Sequence, residues 1–168
     1  MRLVWCTGVA ALALLCALAW YLRTLSPGVL ALQFAFTPRA FGEVVHQWDA
    51  LQLARFRSHL PVDGLLLLCY GLFGYLFATR TRVFATWPPR PRRGVAWVLA
   101  LAAAFDALEN VLHAWLTEAP RLGVTWPYLL AAGAASAKWI LIVGFGLAVA
   151  TALAGIGRAG SARDRGDA

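Results

Sequence analysis

Four stretches of the chain are almost unbroken in apolar residues: 3–22, 62–79, 95–117 and 126–153. Each reaches the length, about 18 residues or more at 1.5 Å per residue, that crosses a bilayer core as a helix. The segment between the first and second is different. Phe36-Thr37-Pro38 has the form of a helix start, with Thr37 as N-cap, Pro38 at the first helical position and Phe36 placed to staple to Phe41. From there Phe41, Val44, Val45, Trp48 and Leu51 fall on one side and Arg39, Glu43 and Gln47 elsewhere. That spacing predicts an amphipathic helix over about 38–58, lying on the membrane surface or capping the bundle. Pro88-Pro89-x-Pro91 is expected to stop any helix between the second and third spans. A turn at 120–125 leads into the fourth span, and the Gly-, Arg- and Asp-rich tail at 155–168 reads as disordered. The fold class is therefore all-α, an integral membrane bundle of four transmembrane helices with an amphipathic helix between the first and second. One helical domain covers 1–154. The first run has a rival reading as a signal peptide, since Ala17-Leu18-Ala19 fits a cleavage site; its length favours a retained helix.

Composition agrees with the pattern. The chain is 61% hydrophobic and 14% charged, where a soluble domain carries about 25% charged residues. The net charge of +7 does not indicate nucleic acid, because the arginines sit beside the ends of apolar runs and no aromatic platform is interleaved with them. Nine arginines fall at the end shared by the N-terminus, the 80–93 segment and the tail, against five at the other end. The positive-inside rule then puts both termini in the cytoplasm. Trp20, Trp48, Trp115 and Trp126 would mark the outer interface, Trp87 and Trp97 the inner one. Fourteen arginines to one lysine is the bias of a GC-rich bacterial genome, so the expected location is a bacterial inner membrane. Cys6, Cys16 and Cys69 form no CxxC or metal spacing and read as packing or lipid-facing residues.

The chemistry is concentrated in the third span. Asp106, Glu109, Asn110 and His113 stand at i, i+3, i+4 and i+7, so they share one helix face. A charged residue near the middle of a membrane helix costs at least about 2.5–3.5 kcal/mol, and such residues face a bundle interior or a wet cavity. Counting rises from the outer ends, Asp106 and Lys138 both lie roughly 17 Å deep, while Tyr70 and Glu109 are level at about 12 Å. The expected picture is a polar funnel open to the outside. Asp63, His59 and His113 form its rim, Tyr70, Glu109 and Asn110 its middle, Asp106 and Lys138 its floor, with an Asp106–Lys138 or Glu109–Lys138 ion pair. Against a site stands a plainer reading, in which these polar groups are interhelical glue. Gly71 and Gly74, and Gly133 with Ala137, are expected to let helices approach closely. A metal is not expected, because a ferritin-like site repeats Glu-x-x-His on two helices and here Glu-x-x-x-His occurs once. No cofactor is expected either.

These residues resemble a group of bacterial four-span membrane proteins without an assigned activity. The likeness rests on Phe36-Thr37-Pro38, Asp63 leading a Leu-rich span with Tyr70-Gly71, the Asp106-x-x-Glu109-Asn110 element and the lone Lys138 of the last span. It runs from Phe34 to Leu147 and implies the four-span topology and the importance of those polar positions.

The leading functional expectation is a protein that binds or translocates a small polar solute, a lipid headgroup or a proton, with the lipid bilayer as its partner and no nucleic acid. The second is a membrane enzyme acting on a lipid or isoprenoid, with Glu109 or His113 as general acid–base. The chain shows neither a Ser–His–Asp set nor a phosphate-cradling glycine loop, which weighs against that. The third is a structural or accessory membrane subunit.

Overall fold

The structure, a computed structural model, describes residues 1–164, with side chains described up to Gly155. Six helices follow one another: α1 (Arg2–Leu22), α2 (Val29–Gln33), α3 (Pro38–Gln47), α4 (Ala50–Arg80), α5 (Pro89–Glu118) and α6 (Trp126–Asp164). There is no strand among the described residues. Four of the helices, α1, α4, α5 and α6 as far as Gly155, are long and apolar enough to cross a membrane. The all-α, four-span bundle expected from the hydropathy pattern is what the chain forms. Of the expected tail, residues up to Asp164 continue α6, and 165–168 lie outside the described residues.

Three boundaries differ from the sequence reading, each for a local reason. The amphipathic segment is not one helix over 38–58. Thr37 caps α3 as expected, accepting from the Ala40 amide over 3.1 Å. The chain then breaks at Trp48, whose backbone is extended. Asp49 and Gln52 form a capping box that starts α4: the Gln52 amide donates to Asp49 Oδ1 over 2.7 Å, and the Asp49 amide to Gln52 Oε1 over 3.1 Å. Leu51 consequently belongs to α4 and is 68% exposed, off the buried face of Phe41, Val44 and Trp48.

The second span likewise does not begin at Val62. It continues α4 through Pro61, at the loss of one backbone bond to the Arg57 carbonyl, a loss that membrane helices tolerate. The prolines after Trp87 start α5 instead of stopping a helix. Pro89 occupies its first turn, where a missing N–H costs nothing.

Packing is sequential. α1 lies on α4, α4 on α5, and α5 on α6, with α4·α5 the most extensive interface. Gly74 allows that interface, since a Cβ there would stand 2.5 Å from Leu99 Cβ, and one on Gly71 would stand 3.3 Å from Ala103 Cβ. Gly133 has no such role: a Cβ built on it meets nothing within 4 Å.

Two apolar clusters cap the interior. At the α3 end, Leu32, Phe41, Val44, Trp48, Phe56 and Leu116 pack with Tyr128. Trp48 is thus a core residue rather than an interface anchor, and its indole N–H donates to the Pro27 carbonyl over 2.8 Å. At the opposite end, Phe84, Val95, Leu99 and Phe145 pack together. The polar residues lie between these clusters.

Candidate functional site

The i, i+3, i+4, i+7 face of α5 turns inward. Asp106, Glu109 and His113 are buried, and Asn110 is half-buried beside them. Lys138 comes in from α6, and Tyr70, Asp63 and His59 from one face of α4. The polar core is therefore assembled by three neighbouring spans, and α1 contributes none of these groups.

Lys138 joins both carboxylates. Its Nζ donates to Asp106 Oδ1 over 2.8 Å and stands 2.7 Å from Glu109 Oε2. The first contact is a charge-assisted hydrogen bond. The second lies off the hydrogen-bond direction of Glu109 Oε2 and is ionic. The two expected pairings, Asp106–Lys138 and Glu109–Lys138, thus coexist on one ammonium. Tyr70 holds the other side of Asp106, its hydroxyl donating to Oδ2 over 3.1 Å. One turn along α5, the Asn110 side-chain amide donates to Asp63 Oδ2 over 2.6 Å, tying α5 to α4.

His113 completes the row. Its Nδ1 faces Glu109 Oε1 at 3.6 Å, too long for a hydrogen bond, and its Nε2 is buried without a partner. The ring sits between Phe41 and Phe56, centroid distances 5.9 and 6.1 Å. Thr117 satisfies its own hydroxyl locally, on the His113 carbonyl over 2.6 Å. His59 packs on Phe56 and pairs its Nδ1 with the Phe56 carbonyl.

The open funnel is where the structure departs most from expectation. His59 and His113 do not line a rim. His113 is 2% exposed and His59 5%, both under the Phe41–Trp48–Phe56 cluster. Asp63, Asn110 and Tyr70 stand partly open to the surroundings. Of two surface grooves, one against α3 near Leu122 and one between α4 and α5, neither is lined by Asp106, Glu109 or Lys138. The charged centre of the polar core is thus buried, while its Asp63 side stays partly open.

The cap residues Phe41, Phe56 and Tyr128 were missed as part of the site. For Phe41 the signal was its place on the apolar face with Val44 and Trp48, which indicated burial but not what it would cover; Phe56 and Tyr128 carried none. Tyr128 is held in place by accepting the Arg121 amide on its hydroxyl over 2.9 Å, with its ring edge-on to Phe41 at 5.1 Å.

Chemically, the arrangement offers two carboxylates to one ammonium. With all three ionised it carries one uncompensated negative charge, in a region where an unpaired charge is costly. The ammonium occupies the space between the carboxylate oxygens that a bridging cation would take. The chain matches no protein-family model, no curated protein and no solved structure.

Proposed function

We propose that this membrane protein binds, and carries across the bilayer, a single proton held on the Asp106–Glu109–Lys138 triad. The observation that carries the reading is the sharing of Lys138 Nζ between Asp106 at 2.8 Å and Glu109 at 2.7 Å. Two acids compete for one base, which leaves a site for one positive charge. Lys138 Nζ already fills the space between the two carboxylates, and a proton needs no more room than their oxygens offer. Asp63 and Asn110, half-buried above the triad, supply a way in, and Tyr70 orients Asp106. The arginine bias supports a bacterial inner membrane with both termini in the cytoplasm, which puts Asp63 toward the outside.

Purified protein in lipid vesicles with an entrapped pH dye, under a potassium-diffusion potential, tests this. Wild type is expected to acidify the lumen faster than empty vesicles, and Asp106→Asn, Glu109→Gln and Lys138→Met to abolish the difference. Wild-type vesicles that leak no faster than empty ones would sink the translocation reading.

One observation favours a structural role instead. The Tyr70–Asp106, Asn110–Asp63 and Lys138–Asp106 bonds each join neighbouring spans, as interhelical glue should.

A further inference from the structure

A groove runs along the membrane-facing side of the α4–α5 interface, and none of the triad residues lines it. Its floor is made by Gly71, Ala100 and Ala103 and its walls by Leu68, Tyr75 and Trp97. Tyr75 and Trp97 pack against each other at its mouth, ring centroids 5.1 Å apart. Such amphipathic rings settle at the headgroup level of a bilayer.

Beyond that mouth lies a concentration of positive charge. Arg93 and Arg90 precede Trp97 by four and seven residues, and so continue its stripe on α5. Arg80 ends α4, and Arg82 follows it. Arg80, Arg82, Arg90 and Arg93 are exposed, and none of them has an ion-pair partner among the described residues. The sequence holds no Asp or Glu between Asp63 and Asp106 that could neutralise them. Topology accounts for arginines on this side of the membrane; it does not account for an apolar groove ending among them.

We propose that this groove binds one acyl chain of an anionic phospholipid, with the phosphate held by Arg90 and Arg93. The dimensions agree. From Leu67 to Tyr75 the helix rises about 12 Å, close to the roughly 15 Å of hydrocarbon in one leaflet. A second copy of the chain is the poorer occupant. A transmembrane helix would need a groove about twice that long, and a two-fold interface would set the same arginines against each other. The inference is independent of what the triad does.

Native mass spectrometry on the full chain, released from detergent containing equal amounts of phosphatidylglycerol and phosphatidylcholine with identical acyl chains, tests the site. One phosphatidylglycerol per chain is expected to survive. Each arginine near an anionic headgroup contributes about a fivefold preference, so Arg90→Gln/Arg93→Gln should lower the selectivity about twenty-five-fold. Ala100→Phe, which fills the floor and leaves the arginines in place, should remove the retained lipid. Leu68→Phe, on a wall that is 71% exposed, serves the same purpose should Ala100→Phe not fold. Equal retention of the two lipids, or undiminished retention when the groove is filled, overturns the proposal. So does a dimer that the filling variants dissociate.

Discussion

Lys138 stands 2.7 Å from Glu109 across the α5–α6 interface, and both side chains are almost wholly buried, at 4% and 1% exposed. The bond to Asp106 on the same ammonium makes the pair a triad, and its asymmetry decides what each substitution should do. Removing the base leaves two carboxylates facing each other without a counter-charge. Removing either acid leaves a complete pair.

Lys138→Met is accordingly expected to destabilise the protein most, by about 3–5 kcal/mol, the usual effect of leaving a buried charge unpaired. Glu109→Gln and Asp106→Asn should each cost less. Combining Lys138→Met with Glu109→Gln should recover part of the loss, because residues in one network are not additive. Thermal unfolding in detergent of the three single variants and the double gives the order. Equal effects for all three singles would contradict the shared-ammonium geometry.

The Asn110–Asp63 bond joins α5 to α4 in a half-buried setting, with only one hydrogen bond at stake. Asn110→Ala should lower stability by about 0.5–1.5 kcal/mol, well below Lys138→Met. The same unfolding series reads it, and a loss as large as that of Lys138→Met would mean the pair belongs energetically to the triad.

Two glycines separate packing from mere presence in a helix. Gly74→Ala would drive a methyl into Leu99 at 2.5 Å and force α4 from α5, a cost of about 1–3 kcal/mol. Gly133→Ala meets open space and should be neutral or slightly stabilising, since alanine is the better helix former. Melting temperatures of the two variants, compared directly, check the close approach.

Phe41 covers His113 from the α3 side. Phe41→Ala should cost about 3–5 kcal/mol through the cavity it leaves and should admit water to the imidazole. Brief treatment with diethyl pyrocarbonate, followed by peptide mass spectrometry, is expected to modify His113 in the variant and to spare it in wild type. Modification of His113 in both would show that the cap is open in the membrane.

Much of this protein was decided by local rules and could be read without a fold. Twenty-odd apolar residues in a row must cross a bilayer as a helix, because no water is present to satisfy a bare backbone. A 3.6-residue period puts Asp106, Glu109, Asn110 and His113 on one face, and a rise of about 1.5 Å per residue sets Asp106 and Lys138 at one depth. The capping box at Asp49–Gln52 and the helix-starting Pro89 were equally local and open to the same rules.

The rest depended on how each helix turns about its own axis and which segments, remote along the chain, meet it. Depth alone gave Asp106 and Glu109 equal claims on Lys138, and only the α5–α6 packing gave the ammonium to both. Spacing could mark Phe41 as buried, but not that it and Phe56 would close over His113 and His59 and bury the two histidines expected at an open rim. Gly74 and Gly133 look alike as residues in apolar helices. Contact with Leu99 makes one of them essential to packing, and contact is a property of two surfaces rather than of either sequence.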